Sequence, residues 1–590
     1  MASIFELNRI ANASAWRVLP NRWDFVAFPL IVGLLAMMMV GFHQTMAPIS
    51  TLQNEAISLA PAYLPEYALR TTLRMLAAMA ASLAFTLAYG TLAAKSRRAG
   101  MVLVPILDIL QSVPVLGFIS FTVTFFLALF PRRVLGPELA AIFAIFTSQA
   151  WNMTFSFYQS LRTVPRDLDE VSRGFHLTGW QRFWKLEVPF SMPGLIWNMM
   201  MSMSGGWFFV VASEAITVGD HTFTLPGVGA YLAQAIAEQN LAAIGWVILT
   251  MIVVILAYDQ LLFRPLVAWA DKFRMENTSS GNAPQSWLLD LIRRTRLIHR
   301  LLAPMGWLLA QTARVPLRLP LPQWRLASSK PGARRAASAR GSQRLGDAVL
   351  GALVVALTLY VVWRVAGYLR TEVTWGEVGH VFTLGLITLL RVLVLIAIAS
   401  AVWVPLGVLI GLRPALAEKI QPLAQFLAAF PANLMFPAFV MVIVRFHLNP
   451  DIWLSPLIVL GTQWYILFNV IAGASAYPND YREAATSFHI RGWQWWRQIM
   501  LPGIFPYYIT GAITASGGAW NASIVSEFVQ WGNTQIAAHG LGAYIAETTA
   551  AGDYPKIILG IAVMSLFVTL FNRLLWRPLY AHAEERLRLD

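Results

Sequence analysis

The sequence predicts an all-α integral membrane protein built from two tandem six-helix halves. Of its 590 residues, 57% are hydrophobic and only 13% are charged, and the mean hydropathy is +0.58. A soluble domain cannot bury that much apolar surface, whereas helices that face lipid need not bury it. Two further observations support this fold class: the chain contains many long apolar runs, and its second half repeats its first.

The apolar runs predict the positions of the membrane helices. A spanning helix needs about 20 predominantly apolar residues, and the chain offers about twelve such runs. We expect a break at Pro114, because proline removes a helical hydrogen bond. The predicted spans are 24–43, 69–94, 101–130, 138–160, 193–217 and 242–263 in the first half, and 347–368, 379–411, 421–445, 452–473, 506–529 and 555–576 in the second.

The two halves are copies of one another. Adding 313 to any position from Trp151 to Leu266 gives its counterpart in the second half, and upstream of this region the offset is 317. We therefore divide the chain into a first repeat, 1–265, a linker, 266–345, and a second repeat, 346–590. An even number of spans inserts both copies the same way up, so a pseudo-two-fold axis along the membrane normal is expected, with a pathway between the halves.

The net charge of +14 reflects membrane topology rather than nucleic-acid binding. Basic residues lie between the apolar runs, as in KSRRAG at 95–100, whereas 44–68 and 218–241 contain no Lys or Arg. The positive-inside rule therefore places the basic loops, the linker and both termini in the cytoplasm. The sequence contains no cysteine, which excludes disulfides, thiolate metal sites and cysteine nucleophiles.

The linker contains fourteen Lys or Arg residues against three Asp or Glu. Its segment 286–310, SWLLDLIRRTRLIHRLLAPMGWLLA, mixes leucine and tryptophan with arginine and is too charged to span a bilayer. We expect it to form a helix that lies in the inner membrane interface. The alternative is a disordered tether, which fits 326–345 much better.

Each half interrupts its apolar runs with one charged and aromatic segment. The first is EVSRGFHLTGWQRFWKLEVP, Glu170 to Pro189, and the second is EAATSFHIRGWQWWRQIMLP, Glu483 to Pro502. The second resembles the "EAA" loop of permease subunits in binding-protein-dependent ABC importers. That motif has Glu-Ala-Ala, an aliphatic residue at +16 and Leu-Pro at +18 and +19. The matching residues are Glu483-Ala484-Ala485, Ile499, Leu501 and Pro502, and more weakly Glu170-Val171-Ser172, Leu186, Val188 and Pro189.

One departure from the motif occurs in both copies. The glycine expected at +6 is His176 or His489, and glycine appears instead at +9, as Gly179 and Gly492. Glycine adopts positive φ freely and histidine rarely does, so the geometry of this turn is open on sequence alone.

The resemblance implies two tandem type I ABC importer permease repeats in a bacterial inner membrane. It implies two copies of a cytosolic ABC ATPase docked at 165–190 and 478–503, and an extracytoplasmic solute-binding protein. ATP and Mg²⁺ would then belong to the partner, since this chain has no G-x-x-x-x-G-K-[ST] and is not expected to be an enzyme or to bind a cofactor or nucleic acid. The resemblance is strongest to the nitrate, sulfonate and taurine branch, so the expected solute is a small anion such as nitrate, a sulfonate or bicarbonate.

A short amphipathic helix that docks in a partner's groove explains such a loop physically. Tryptophans supply the large desolvated contacts that dominate binding energy, and glutamates near helix starts can pair with a partner's arginine. The alternative is an interfacial helix that only anchors the loop in lipid. The candidate coupling residues are Glu170, His176, Gly179, Trp180 and Pro189, with Glu483, Ala484, Ala485, His489, Gly492, Trp493 and Pro502.

The fifth helix of each half contains candidates for a solute pathway or gate. Its small residues favour close helix packing, and its glutamates, Glu214 and Glu527, are costly at membrane depth and so indicate a function. We expect these glutamates to form a gate or an inter-helix hydrogen bond rather than to contact the solute. Arg74 and Arg391 can attract an anion, pair with the glutamates or extend to the outer interface. The other candidates are Gln149, Asn152, Asn198, Ser213, Gln463 and Ser526.

Two other classes of protein remain possible at this point. A secondary transporter driven by an ion gradient also favours twelve helices in two parallel halves, but it needs no cytoplasmic docking loop in each half. A membrane scaffold or sensor could use the same loops for signalling without transporting a solute.

Overall fold

The computed structural model describes residues 57–112, 119–131, 133–218, 221–273, 286–315, 362–532 and 534–586, together with 33, 39, 115, 351–352, 355–357 and 359–360. Most of these residues are helical, as predicted, and helices form the core of each half. The predicted span 24–43 lies almost wholly outside the described residues, as does the tether segment 326–345.

The first half contains ten α-helices and one β-hairpin among the described residues, with short 3-10 or π-helical segments between some of the helices. The helices are α1 (Leu64–Lys95), α2 (Arg97–Ser112), α3 (Ile119–Leu129), α4 (Leu135–Arg162), α5 (Arg166–Gly174), α6 (Gly179–Arg182), α7 (Val188–Ser213), α8 (Val228–Ala237), α9 (Leu241–Tyr258) and α10 (Arg264–Ala270), and the strands are β1 (Ala215–Val218) and β2 (His221–Thr224).

The linker contributes two helices, which cover the predicted interfacial segment. They are α11 (Trp287–Arg294), whose first turn is capped by the Ser286 hydroxyl, and α12 (Arg296–Arg314). Their position at a lipid surface stays a prediction.

The second half repeats the order of the first. Its elements are α13 (Trp375–Gly411), α14 (Pro414–Ala429), α15 (Phe436–Arg445), α16 (Pro450–Trp453), α17 (Ser455–Leu460), α18 (Gln463–Ser475), α19 (Asn479–Ser487), α20 (Gly492–Trp495), α21 (Leu501–Ser526), β3 (Phe528–Trp531), β4 (Thr534–Ala537), α22 (Leu541–Ala551), α23 (Tyr554–Phe571) and α24 (Arg577–Arg586).

The secondary structure follows the sequence repeat almost residue by residue. Helices α5, α6, α7 and α9 and both strands of the first hairpin begin and end 313 positions before their counterparts, and α2 lies 317 positions before α14. The four residues missing from the second copy are lost between α15 and α16, where the chain turns back.

The described residues contain fewer long spans than the twelve that the sequence predicts, and parts of the predicted spans lie outside the described residues. Five helices of the described residues are long and apolar enough to cross a membrane, and up to seven spans exist if each bent helix pair counts as one. The predicted span 421–445 is bent by 77° and 452–473 by 44°. The ends of 193–217 and 506–529 are strands, because the chain turns into a hairpin there.

The cores of the two halves interlock. Phe436, Val440 and Ile443 of α15 pack into the core of the first half, and Val123 of α3 packs into the core of the second half. Side-chain and backbone groups also bond across the junction, as when Asn521 Oδ1 accepts from the Val115 N–H at 2.7 Å. The described residues of the halves therefore form one body rather than two separate bundles.

Candidate functional site

The two loops that carry the EAA-like motif have the same backbone geometry. Helix α5 ends in a turn where the Leu177 N–H donates to the Ser172 carbonyl at 3.2 Å and His176 has a φ of 49°. In the second half the Ile490 N–H donates to the Ala485 carbonyl at 2.9 Å and His489 has a φ of 55°. Both are Schellman turns, in which the residue after the helix is left-handed. Histidine therefore takes the conformation that glycine normally takes at this position.

The tips of both loops are exposed. The side chains of Phe175 and Phe488 are 68% and 78% accessible, and Glu170 and Glu483 are exposed one to two turns before them. Among the other candidate residues, Ala484, His176, His489, Gly179 and Gly492 are also exposed, Ala485 is buried beneath the loop, and Pro189 and Pro502 lie in the first turn of α7 and α21.

The interactions that hold the two loops in place differ in chemistry. In the first loop Arg182 forms ion pairs with Asp169 and with Glu187, and Lys95 pairs with Glu187 at 2.7 Å. In the second loop the counterparts of Arg182 and Glu187 are Trp495 and Met500, and Met500 is fully buried. One loop is therefore held by a network of charges and the other by apolar packing.

The linker contacts the first loop at its flank. The indole N–H of Trp180 donates to the Thr312 carbonyl at 2.7 Å, and the Gln181 amide donates to the Arg314 carbonyl at 2.9 Å. These carbonyls belong to the last turn of α12, whose groups have no partner within the helix. The identical Trp493 of the second loop is 73% exposed. The two loops that carry the EAA-like motif thus have different surroundings.

A buried ion cluster lies at the far end of α7 in the first half. Arg74 donates to both carboxylate oxygens of Glu138, at 2.6 and 2.7 Å, and to Glu214 at 2.6 Å. The hydroxyl of Thr71 and the N–H of Gly229 also donate to Glu214, at 2.7 and 2.6 Å. This cluster joins α1, α4, α7 and α8. Arg74 therefore pairs with the glutamate, which is one of the alternatives that the sequence left open.

The second half contains the corresponding cluster in a looser form. Arg391 pairs with Glu527, whose other oxygen accepts from the Gly542 N–H at 2.8 Å. Asp451 replaces Glu138 and lies 3.6 Å from Arg391, and it also bonds His539 at 3.0 Å. The side chain of Asp451 is 37% exposed, against 9% for Glu138, so this second pair is open to solvent.

Glycine is required where the carboxylates meet the start of α8 and α22. A Cβ added to Gly227 would collide with the carboxyl group of Glu214, and one added to Gly540 would collide with that of Glu527. The close approach puts each carboxylate against a helix N-terminus, where backbone N–H groups and the helix dipole favour negative charge.

Sequence reasoning missed Glu138 and Asp451. The signal was available, because Pro137-Glu138 and Pro450-Asp451 are related by the offset of 313 that also relates Trp151 to Trp464, so this offset already holds at Pro137. Among the described residues, no group of three or more His, Cys, Asp or Glu side chains is placed to hold a metal ion.

A cavity of about 150 Å³ lies between the halves and is lined by both of them. None of its lining residues is charged. They are Gln111, Val115, Thr147, Ser148, Trp151, Asn152, Ser202, Ser204, Gly205, Phe208 and Phe209 from the first half, with Ala428, Phe430, Ala432, Leu457, Gly461, Thr462, Tyr465, Ile513, Thr514, Gly517, Gly518, Asn521 and Ala522 from the second.

Of the candidate pathway residues, Asn152 lines this cavity and the others lie elsewhere. The Gln149 amide lies inside the first half against Ser82 and Met75, the Asn198 amide donates to the Ser156 hydroxyl, and the Gln463 amide accepts from the Trp403 indole. Ser213 and Ser526 are buried and donate to carbonyls of their own helices.

Comparison with known proteins identifies two family segments in the chain. The profile of the family described as "Binding-protein-dependent transport system inner membrane component" matches residues 86–263 and 403–587. The chain is 27% identical over 177 residues to the bicarbonate transport system permease protein CmpB of Synechococcus elongatus, an alignment covering 30% of this chain and 60% of the relative.

Other relatives give the same level of similarity. The nitrate import permease protein NrtB of Leptolyngbya laminosa is 26% identical over 187 residues, which is 32% of this chain and 63% of the relative. The glycine betaine/proline betaine transport system permease protein ProW of Escherichia coli is 27% identical over 172 residues, 29% of this chain and 44% of the relative. The chain thus spans less than two thirds of the length of these relatives, from 44% of ProW to 63% of NrtB.

Proposed function

Because the chain belongs to the family of binding-protein-dependent transport system inner membrane components, we propose that it is the permease subunit of an ATP-driven importer. Both repeats of the family are present in one polypeptide, so one chain would supply the whole membrane pathway. The observation that carries the proposal is the pair of matching cytoplasmic loops, each with an exposed aromatic tip on a rigid turn.

The partners follow from the same loops. Two copies of a cytosolic ABC ATPase would dock, one at 165–190 and one at 478–503, and an external binding protein would deliver the solute. Phenylalanine tips and nearby glutamates suit a groove that is apolar at its floor and basic at its rim. ATP and Mg²⁺ would be bound by the partner.

The geometry suggests how motion at a loop reaches the pathway. Residues Gly179–Ser213 form one long helical body that begins in the first coupling loop and ends next to Glu214. Such a body is about 50 Å long at 1.5 Å per residue. A displacement at the loop would therefore be carried to the cluster of Arg74, Glu138 and Glu214. We assign this cluster and its counterpart the role of gates for alternating access.

The chain would lie in a bacterial inner membrane with both coupling loops and both termini in the cytoplasm. The distribution of basic residues supports this orientation. The solute is a small anion, since the relatives named above include permeases for bicarbonate and nitrate.

The experiment that tests the proposal is purification of the tagged chain from its native membranes, followed by identification of its partners. A Glu170→Arg plus Glu483→Arg variant reverses the charge of both loops and should no longer recover the ATPase. A Glu238→Arg plus Glu547→Arg variant makes the same charge change at exposed residues outside the loops and should recover it. Recovery of no ATPase with the unmodified chain, or uptake that persists without ATP, would contradict the proposal.

A further inference from the structure

The cavity between the halves lies on the pseudo-two-fold axis. Many of its lining residues come in pairs that occupy equivalent positions of the two repeats, which is possible only where the halves face one another. These pairs are Gln111/Ala428, Val115/Ala432, Ser148/Gly461, Asn152/Tyr465, Ser204/Gly517, Gly205/Gly518, Phe208/Asn521 and Phe209/Ala522.

The polar groups on this wall are unequally divided. Gln111, Ser148 and Ser204 of the first half correspond to positions that are alanine or glycine in the second. The first half therefore supplies more of the polar side chains, and the second half supplies Thr462, Tyr465, Thr514 and Asn521. A pathway that is symmetric in shape is thus asymmetric in chemistry.

Several donors at the cavity are not used by the protein itself. The Gln111 amide donates to Asn152 Oδ1 at 3.1 Å. This bond uses the oxygen of the Asn152 amide and leaves its nitrogen to donate elsewhere. The Tyr465 hydroxyl, at the position equivalent to Asn152, makes no hydrogen bond to any described residue. The Ser202 hydroxyl and the Trp151 indole N–H are also without partners among the described residues, and Ser202 is almost fully buried.

Neutral hydrogen-bond donors, with no cation fixed beside them, can bind an anion transiently. Hydrogen bonds to a charged acceptor are stronger than those to a neutral one, so amide and hydroxyl donors can replace part of an anion's hydration. A buried arginine would hold the anion too tightly, because conduction requires binding weak enough to permit exit. Arg74 of α1 and Arg391 of α13, which occupy equivalent positions of the two repeats, are already paired with glutamates elsewhere.

We propose that this cavity is the transient site of the transported solute, and that it binds a small, singly charged oxyanion through the side chains of Asn152, Tyr465, Gln111 and Ser202. The inference rests on the proposed function and adds the residues and the chemistry of recognition. A singly charged anion is favoured because the wall offers donors but no cation to balance a second charge.

The test is uptake of nitrate, and separately of bicarbonate, by the full chain reconstituted in liposomes with its ATPase and binding protein. Tyr465→Phe and Asn152→Leu each remove a donor with little change in volume, and each should lower uptake about tenfold. Asn152→Asp places a carboxylate in the cavity and should abolish uptake. All three should still recover the ATPase, since the coupling loops are untouched. Thr510→Val removes an exposed hydroxyl outside the cavity and should transport as the unmodified chain does.

The outcomes separate this inference from the proposed function. Normal uptake by both Asn152→Asp and Tyr465→Phe, with the unmodified chain active, overturns the cavity site and leaves the permease assignment intact. Failure of the unmodified chain to bind an ATPase or to move either anion overturns both. If Asn152→Asp does not fold, as judged by gel filtration, Tyr465→Phe decides, because it retains the aromatic ring.

Discussion

The cluster around Arg74 shows how the surroundings of a residue change the contribution of its ion pair to stability. Glu138 makes two short bonds to Arg74 and is nearly excluded from solvent, whereas its counterpart Asp451 lies 3.6 Å from Arg391 and is partly exposed. Removing Glu138 would leave two N–H groups of Arg74 buried without an acceptor, although Glu214 would still pair with Arg74, and unsatisfied buried donors are costly, while exposed pairs contribute little.

We therefore expect Glu138→Ala and Asp451→Ala to differ in stability. Glu138→Ala should lower the free energy of unfolding by about 2 to 3 kcal/mol, and Asp451→Ala by about 1 kcal/mol or less. Thermal unfolding of the purified variants in one detergent measures both. Equal losses would mean that the two clusters are equally buried in solution, contrary to the difference in exposure seen here.

At the scale of elements, the linker helix α12 distinguishes the two coupling loops. Trp180 and Gln181 bond the carbonyls at the end of α12, and the identical Trp493 and its neighbour Gln494 are exposed. The same pair of residue types thus donates hydrogen bonds to the end of a helix in one half and is exposed to solvent in the other. Sequence identity between the loops does not make their surroundings identical.

Loss of these two bonds should free the end of α12. Because the chain has no native cysteine, a nitroxide on Thr312→Cys reports on this helix alone. Trp180→Phe plus Gln181→Ala should increase the label's mobility. The matched change in the second loop, Trp493→Phe plus Gln494→Ala, should leave the spectrum unchanged, and an equal increase in both would show that α12 is not held by the first loop.

At the scale of the whole molecule, the halves interlock through α3 and α15. Each of these helices packs its apolar side chains into the core of the opposite repeat, so the interface between the halves is continuous with their interiors. In a bilayer, where lipid is as apolar as these side chains, close van der Waals packing rather than exclusion of water stabilises such an interface. The covalent linker is therefore not needed to keep the repeats together.

We expect the chain to assemble after it is divided within the linker. Residues 1–330 and 331–590, expressed together from separate reading frames, should copurify through a tag on either fragment. The Val440→Asp plus Ile443→Asp variant of α15 puts carboxylates into the core of the first half and should prevent copurification. Recovery of each fragment alone would mean that the linker holds the halves together.

Local patterns in the sequence were enough to predict a helical membrane protein, its duplication and the positions of the two loops that carry the EAA-like motif. These features depend on apolar periodicity, on spacing and on a motif, all of which are local or repeat at a fixed offset. Glu170 and Glu483 are exposed near the loop tips, and helices α5 and α19 lie where the motif predicts them. The described residues contain five long apolar helices, and the predicted spans 421–445 and 452–473 are bent helix pairs, so the total of twelve spans stays a prediction.

Which polar side chains contact one another depends on the tertiary packing and could not be predicted from the sequence. Gln149, Asn198 and Asn152 look alike in sequence, yet only Asn152 lines the cavity, since a side chain's neighbours depend on helix rotation about axes that no single helix encodes. The pairing of Arg74 with Glu214, 140 positions apart, follows from packing of three helices and a glycine turn. Helix α12 likewise contacts only one of the two similar loops, because the chain has a single linker for its two halves.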